Sequence, residues 1–203
     1  ALITTRGFKD VIQIGRQNRP DLYDFATTPP EPLIPSELRF ELDERVDRFG
    51  DVITPLNQIQ LETLISDIKH LPKAIKSIAV VTLFSFANPK HEQIITKKLR
   101  NEGYFASASH EILPEYREYE RTSTTVVNAY VSPVLDRYLK RIEENLPTYT
   151  PLQIMQSNGG SISIAQARKS GVRCILSGPA GGVVGCQFVG KLACDNLQPS
   201  ALR

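Results

Sequence analysis

Ser77-Ile78-Ala79-Val80-Val81-Thr82-Leu83-Phe84-Ser85-Phe86 is the stretch of sequence that decides the fold class. Its apolar side chains follow one another almost without alternation, which is typical of a strand buried on both faces of a parallel sheet. Asn88-Pro89 then predicts the beginning of a helix, because asparagine caps helices and proline fits the first helical position. Gly103 ends that helix, and residues 104–108 predict the next strand. The sequence therefore predicts a strand–helix–strand unit within an α/β fold.

The N-terminal segment carries shorter signals of the same kind. Residues 2–4 predict a strand, and residues 8–14 predict a short helix that Gly15 ends. Four prolines follow within seven residues, at positions 29, 30, 32 and 35. Such a run is stiff and extended, so we expect a connector there and a domain boundary near residue 35.

The region between this connector and the buried strand reads as a hairpin followed by a helix. Apolar and charged residues alternate over residues 38–46, and Gly50-Asp51 turns the chain into residues 52–54. This pattern predicts a hairpin with one solvated face. Apolar residues spaced three and four apart over residues 61–68 predict an amphipathic helix that ends near His70.

The longest helical signal follows the strand–helix–strand unit. One apolar stripe is formed by Val127, Val131, Val134, Tyr138 and Ile142, with Leu135, Leu139 and Leu146 beside it. Ser132-Pro133 interrupts the pattern and predicts a kink or two consecutive helices.

The C-terminal part alternates again between strands, turns and helices. Strands are predicted at residues 151–156 and 172–176, with a tight loop at 157–160 and a short helix at 164–168 between them. The last predicted helix begins at residues 177–182. We therefore divide the chain into a lead-in with its connector (1–35), an α/β subdomain with the hairpin (36–115), and a helical linker that begins a second lobe (116–203).

Composition excludes several classes of function. Hydrophobic residues make up 41% of the chain and charged residues 23%, which is ordinary for a globular protein. The net charge of +2 is spread over mixed charges, so nucleic acid is not expected as a partner. The longest apolar run is too short to cross a membrane. Three cysteines without C-x-x-C spacing, and the absence of N-x-S/T sites, indicate a reducing cytoplasm with the cysteines in the core.

Two glycine-rich segments are candidate ligand loops. Ser157-Asn158-Gly159-Gly160 and Ser177-Gly178-Pro179-Ala180-Gly181-Gly182 each follow a predicted strand. Open α/β sheets bind ligands at the carboxyl ends of their strands, where glycine lets backbone N–H groups approach an anion. The alternative is that these glycines serve close packing, with Gly185 and Gly190 further along the same helix. The residues alone leave both interpretations open.

A charged segment at residues 110–121 is the other candidate for chemistry. Its paired carboxylates could act as a general base or bind magnesium, and its arginines could bind an anion. A solvated, salt-bridged start of a helix is the alternative. His91-Glu92 and His110-Glu111 both lack a second histidine four residues later, so we predict no metal ligation there. Two arginines in Gly15-Arg16-Gln17-Asn18-Arg19-Pro20 could bind an anionic group or form a surface turn.

Five of these motifs, in the same order, resemble the N-terminal region of the hydantoinase A/5-oxoprolinase family. They are Thr4-Thr5-Arg6-Gly7-Phe8-Lys9-Asp10, Ile14-Gly15-Arg16-Gln17-Asn18-Arg19-Pro20, Glu118-Tyr119-Glu120-Arg121-Thr122-Ser123-Thr124-Thr125, Met155-Gln156-Ser157-Asn158-Gly159-Gly160 and Ser177-Gly178-Pro179-Ala180-Gly181-Gly182. Together they extend over nearly the whole chain, so the resemblance is specific.

The resemblance implies a ribonuclease H-like α/β fold, similar to that of the actin, sugar-kinase and chaperone ATPases. We expect a mixed sheet with a β-hairpin and flanking helices, truncated at both ends. The implied activity is ATP-dependent opening of cyclic amides such as hydantoin or 5-oxoproline, with Mg²⁺ and in some members K⁺. ATP would phosphorylate a carbonyl or enolate-like oxygen. The implied partners are the cyclic amide, the remainder of a longer chain and a hydantoinase B-like subunit or domain.

Members of this family carry two Asp-x-Gly-Gly-Thr phosphate loops, and neither occurs here. We therefore expect a fragment that is inactive alone and holds no tightly bound cofactor. By resemblance, the candidates for catalysis are Glu118, Glu120, Arg121 and Thr122, and Arg16, Asn18 and Arg19 are further anion-binding candidates. The candidates for cofactor binding are Ser157, Asn158, Gly159, Gly160, Ser177, Gly178, Gly181 and Gly182. The alternatives are a fragment of an acetone- or acetophenone-type carboxylase subunit, and a non-catalytic binding module if the chain is complete.

Overall fold

The structure is a computed structural model that describes residues 1–18, 23, 26, 30–71, 75–147 and 150–196. Arg19 and Pro29, which belong to the predicted anion-binding turn and connector, lie outside these residues. The chain divides by its contacts into two compact units, Ala1–Pro133 and Val134–Arg203. Among the described residues, no helix combines the length and the apolar character that a membrane span requires.

The first unit is built on a four-stranded parallel sheet. Its strands are β1 (Leu2–Thr5), β2 (Arg39–Leu42), β5 (Ser77–Val81) and β6 (Phe105–Ala108), in the spatial order β2-β1-β5-β6. Parallel strands need crossover connections, and α3 (Lys90–Asn101) supplies the one between β5 and β6. The predicted strand–helix–strand unit and the α/β class are therefore confirmed.

Helices cover both faces of this sheet, which explains why β5 is apolar without alternation. On one face, Ile78 and Val80 pack with α2 (Gln58–Lys69) and α3 in a cluster that includes Leu61, Ile65, Ile68, Ile95 and Leu99. On the other face, Ala79 and Val81 pack with Ile12 of α1 (Val11–Ile14) and with Val126 and Ala129. Successive residues of a strand point to opposite faces, so both sets must be apolar.

The predicted hairpin is wrong in its first strand. Residues 38–46 do not form one strand: β2 joins the main sheet in parallel with β1, and the chain then leaves it. The antiparallel hairpin consists of β3 (Arg45–Val46) and β4 (Val52–Thr54) alone. The break falls at Glu44, whose buried carboxylate binds groups of the main sheet. This hairpin is a separate two-stranded sheet, so the four-stranded sheet is parallel and not mixed as expected.

The long helix α5 (Glu118–Asn145) is continuous through Pro133, so the alternative of two consecutive helices is wrong. The predicted apolar stripe is also not its buried face. Val134 is 56% exposed and Tyr138 60% exposed. Within the first unit, the buried side chains of α5 are mostly polar or small: Arg121, Thr122, Thr125, Val126, Asn128, Ala129 and Ser132. Hydrogen bonds compensate for burying these polar groups: Asn128 donates to Ser107 of β6, and Thr122 and Thr125 donate to carbonyls one turn earlier in α5. The periodicity of apolar residues cannot reveal such a face.

The second unit contains the hairpin β7 (Gln153–Met155) and β8 (Ser161–Ser163), followed by α6 (Ile164–Lys169) and α7 (Ser177–Asn196). The predicted strand at 172–176 is wrong, because a 3-10 helix occupies Gly171–Cys174. A short apolar run cannot be distinguished from a buried non-strand segment by sequence pattern alone. Cys174 packs on the local core as predicted, whereas Cys186 and Cys194 are exposed, which corrects that prediction.

Candidate functional site

Polar side chains of the first unit concentrate at the carboxyl edge of its parallel sheet. Thr5 ends β1, Ser85 follows β5, and Ser109 begins α4 (Ser109–Ile112) directly after β6. All three are buried. Phe84, beside Ser85, has a left-handed backbone with φ of 55°, which is costly for a residue with a bulky side chain. This edge is where an open α/β sheet binds ligands.

Glu92 of α3 forms hydrogen bonds to residues that directly follow β5 and β6. Its Oε1 accepts hydrogen bonds from the Thr82 backbone N–H at 2.7 Å and from Ser109 Oγ at 2.6 Å. Its Oε2 accepts from the backbone N–H and the Nδ1 atom of His110, at 2.9 and 2.7 Å. Both oxygens of this fully buried carboxylate are therefore used as acceptors.

Arg121 enters the same cluster from the first turn of α5. Its Nη1 donates to Ser85 Oγ at 2.5 Å and lies 3.3 Å from Ser109 Oγ, and its guanidinium carbon is 5.5 Å from the centre of the Phe86 ring. Only 1% of Arg121 is exposed. Burial lowers the pKa of the guanidinium, and the negative charges of Glu92 and Glu118 oppose that shift. Its Nε is buried and has no hydrogen-bond partner among the described residues.

A small pocket lies beside Arg121, with room for about one water molecule. Its polar lining comes from Thr4, Glu118, Arg121 and Thr122, and its apolar lining from Phe8, Val11, Val81 and Leu83. Three of the four predicted catalytic residues thus meet at one pocket. Thr122 also donates from its hydroxyl to the Glu118 carbonyl at 2.6 Å, one helical turn earlier.

Glu120, the fourth predicted catalytic residue, faces the predicted anion-binding turn. Arg16 Nε donates to Glu120 Oε1 at 2.8 Å, across 104 residues of sequence. A hydrogen bond from its own backbone N–H, and then Arg16, lower the pKa of the Glu120 carboxyl. Gly15 lies against the Tyr119 ring, where an added Cβ would be 3.7 Å from the nearest ring atom. Two motifs that are distant in sequence are therefore adjacent, while Asn18 is exposed.

A second buried carboxylate, Glu44, lies at the same edge. Its Oε1 accepts from the Thr5 hydroxyl, and its Oε2 lies 2.6 Å from His91 Nδ1. Thr5 Oγ1 in turn accepts from the Leu83 backbone N–H at 2.8 Å. The carboxylate stands between threonine and histidine, so the histidine does not reach the hydroxyl as a base would in a nucleophilic triad.

Sequence reasoning missed Glu44, Ser85, Glu92 and Ser109. It considered His91-Glu92 only as a possible start of a zinc-binding helix. In the described part of the chain, no three His, Cys, Asp or Glu side chains are grouped so that they could hold a metal ion. Glu44, Ser85 and Ser109 could have been identified by their position directly after, or shortly beyond, the strands, whereas Glu92, in the first turn of α3, carries no such signal.

In the second unit, Ser157-Asn158-Gly159-Gly160 forms the tight loop predicted after a strand, and it is the turn of the antiparallel β7–β8 hairpin. Asn158 Oδ1 accepts from the Gly160 N–H at 2.9 Å, and Gly159 has φ of 86°. A Cβ at Gly159 would lie 3.4 Å from Val184 of α7. This glycine therefore serves both the turn and the close approach of a helix.

Ser177, Gly178, Gly181 and Gly182 lie within the first two turns of α7, so this segment is helix rather than loop. Gly181 approaches Met155 of β7, where an added Cβ would be 3.6 Å from the Met155 side chain. Gly178, Gly182, Gly185 and Gly190 have no such neighbour within 4 Å among the described residues. The two glycine-rich segments thus adjoin through α7 and β7. The positive φ accounts for Gly159, whereas an added Cβ at Gly181 would make only an ordinary van der Waals contact.

Known proteins similar to this chain include several enzymes. It is 42% identical to a protein of Methanocaldococcus jannaschii over 97% of this chain and 29% of that protein. It is 35% identical to caprolactamase subunit alpha of Pseudomonas jessenii over 88% of this chain and 26% of the relative, and 35% identical to 5-oxoprolinase 1 of Arabidopsis thaliana over 91% and 16%. The acetophenone carboxylase gamma subunit of Aromatoleum aromaticum is 29% identical over 97% and 29%.

Solved structures agree with these sequence relationships. The ATP-dependent caprolactamase of Pseudomonas jessenii superposes with a TM-score of 0.80 at 33% identity, over 94% of this chain and 29% of that chain. An acetone carboxylase structure, at 24% identity and a TM-score of 0.72, shares the fold.

Two protein-family models match consecutive regions of the chain. The hydantoinase/oxoprolinase N-terminal region matches residues 1–103, and the hydantoinase/oxoprolinase description matches residues 121–197. The chain spans less than a third of the length of the relatives named above. The two matched regions together cover most of its length, and the chain belongs to the hydantoinase/oxoprolinase family.

Proposed function

We propose that the complete protein that carries this chain uses ATP to open a cyclic amide of the 5-oxoproline or hydantoin type. The observation that carries the proposal is the 35% identity with both a 5-oxoprolinase and a caprolactamase subunit. The names of these relatives describe enzymes acting on 5-oxoproline and on caprolactam, and the solved caprolactamase is described as ATP-dependent.

The chemistry explains the need for ATP. An amide carbonyl is a poor electrophile, and transfer of the γ-phosphoryl group to its oxygen makes the carbon attackable by water. Water then adds to that carbon, the ring C–N bond breaks and the nitrogen leaves as an amine. The resulting acyl phosphate reacts with a second water. The products from 5-oxoproline or caprolactam are an amino acid, ADP and phosphate, whereas hydantoin gives an N-carbamoyl amino acid with ADP and phosphate.

The first unit supports this chemistry with groups at the carboxyl edge of its sheet. Arg121 lines the small pocket, and its guanidinium is suited to donate to a carbonyl oxygen that gains negative charge. Glu118 lines the same pocket and is a candidate general base for water. Thr122 and Glu120 are the other two residues that we propose for catalysis. We assign nucleotide contacts, as a proposal, to the segments 157–160 and 177–182.

Mg²⁺ and K⁺ accompany ATP in this proposal, although among the described residues no three His, Cys, Asp or Glu side chains are grouped so that they could hold a metal ion. A second, hydantoinase B-like subunit and a cytoplasmic location also belong to the proposal, and the relatives named as subunits support the former.

The test is a substrate screen with the complete protein. ATP is supplied with 5-oxoproline, hydantoin or caprolactam, and both ADP and the ring-opened product are measured. We expect at least one cyclic amide to give the two products in equal amounts. ADP formation that no cyclic amide stimulates would contradict the proposal.

A carboxylase is the second candidate, because the acetophenone carboxylase gamma subunit matches 97% of the chain. The same activation step would then act on an enolate-like oxygen of a ketone. Bicarbonate separates the two candidates. Only the carboxylase requires it for ADP formation, with acetone or acetophenone as the substrate.

A further inference from the structure

A buried line of hydrogen bonds connects Glu92 with Arg121. Ser109 Oγ donates to Glu92 Oε1 at 2.6 Å, and Arg121 Nη1 lies 3.3 Å from the same Ser109 oxygen. Glu92 and Ser109 are fully buried, and Arg121 nearly so. Electrostatic interactions are strong in such surroundings, because little water screens them.

Glu92 determines the direction of these hydrogen bonds. The single hydroxyl proton of Ser109 is donated to Glu92, so Ser109 Oγ can only accept from its other neighbours. Those neighbours are Ser85 Oγ, at 3.0 Å, and Arg121 Nη1. Ser85 therefore gives its proton to Ser109 and offers its own lone pairs to Arg121. Both serines thus present acceptors to the guanidinium.

Only a carboxylate meets the demands at position 92. Four donors converge on its two oxygens: the Thr82 N–H, the Ser109 hydroxyl, and the N–H and Nδ1 of His110. A glutamine has one oxygen, and its NH₂ group would face two of these donors. Replacing Glu92 by Gln removes the counter-charge of Arg121 and disturbs the direction of the serine protons, with almost no change in volume.

We propose that Glu92 is the positioning residue of Arg121: through Ser109 and Ser85 it fixes the guanidinium beside the pocket that Arg121 lines together with Glu118 and Thr122. This inference rests on the proposed function, in which Arg121 contacts the carbonyl group of the substrate. Glu92 itself contacts neither substrate nor nucleotide in this scheme.

The test is a double-mutant cycle in the complete protein, with ATP and 5-oxoproline. We expect Arg121→Gln to lower kcat/KM by about 100-fold or more, and Glu92→Gln by about 10- to 100-fold. When Arg121 is already Gln, Glu92→Gln should change kcat/KM by less than about twofold, because the group that it positions is gone. An equal loss in both backgrounds overturns the inference, as does an unchanged kcat/KM for Glu92→Gln alone.

Glu44→Gln is the matched control. Glu44 is a second fully buried glutamate at the same edge and also meets a histidine Nδ1, but it makes no hydrogen bond to Ser85 or Ser109 among those described. Any loss of kcat/KM that Glu44→Gln causes should be the same whether residue 121 is arginine or glutamine. If Glu92→Gln does not fold, Ser109→Ala takes its place in the cycle with the same expected non-additivity.

A second measurement does not depend on turnover. In the complete protein labelled with ¹⁵N-arginine, the buried Arg121 Nε–H should give a slowly exchanging NMR signal, assigned by its loss in Arg121→Gln. Glu92→Gln should speed its hydrogen exchange about tenfold or more, and Glu44→Gln should not. Unchanged exchange in Glu92→Gln overturns the positioning role. If Arg121→Gln leaves turnover intact while exchange responds as expected, the role of Arg121 in the proposed function fails and the positioning inference survives.

Discussion

At the scale of single residues, the carboxyl edge depends on charged groups that are removed from water and matched by hydrogen bonds. Each carboxylate oxygen of Glu44 and Glu92 accepts at least one hydrogen bond, whereas the buried Nε–H of Arg121 has no partner among the described residues. An unpaired buried donor is costly, and a folded protein seldom keeps one without a use. Glu120 differs from these residues, because it lies at the surface and pairs with Arg16.

Glu120 should make stability depend on pH. Its carboxyl has a lower pKa in the folded chain than when free, because its own backbone N–H and Arg16 favour the charged form. The stabilisation is therefore complete at neutral pH and is lost as the pH falls through the lowered folded-state pKa. We expect the wild type to exceed Glu120→Gln in urea midpoint at about pH 7 and to lose that advantage at about pH 3. Salt at about 1 M should shrink the gap at neutral pH, and a gap independent of pH would contradict the assignment.

At the scale of elements, sequence patterns predicted the helices and strands that obey simple periodicity. The spacing of Leu61, Leu64 and Ile65 predicted α2, and the continuous apolar run around Ile78 predicted β5. The buried face of α5 could not be predicted, because Thr125, Asn128 and Ser132 are polar and become buried only against partners distant in sequence. Likewise Glu44, which lies between β2 and β3, fell within a stretch predicted as one alternating strand. For the site, the sequence motifs identified Glu118, Glu120, Arg121 and Thr122 as candidates. The role of Glu92 could be recognised only once the fold was known.

The N-cap of α2 provides a test at this scale. Asn57 Oδ1 accepts from the Gln60 N–H at 3.1 Å, which satisfies one of the free N–H groups of the first turn. Asn57→Ala should lower the free energy of unfolding by about 1 kcal/mol in urea titration. Asn57→Asp keeps a capping oxygen and serves as the control. Equal losses for both variants would show that the cap does not stabilise the helix.

At the scale of the whole molecule, apolar exposure is uneven. α7 presents Val183, Phe188, Val189 and Leu192 to solvent, and only a few charged or amide side chains interrupt its surface. A helix that is apolar around most of its circumference is typical of a protein interior. We expect this surface to bind apolar molecules when the 203-residue chain is studied alone.

Phe188→Glu should therefore reduce binding of the dye ANS and concentration-dependent association of this chain, as followed by fluorescence and sedimentation velocity. Ile53→Glu, at an exposed apolar residue of the β3–β4 hairpin, is the control and should have a smaller effect. Equal responses of the two variants would indicate that general apolar exposure, and not α7, causes the association.

The position of β1 in the sheet has a consequence for the order of folding. Along the chain β1 precedes both of its neighbours, yet it lies between them, with β2 on one side and β5 on the other. Its partners begin at Arg39 and Ser77, so each pairing must close a long loop, which slows its formation. During synthesis, the edge of β1 that pairs with β5 cannot form those backbone hydrogen bonds before Ser77–Val81 has left the ribosome. That edge is open to mispairing throughout the interval.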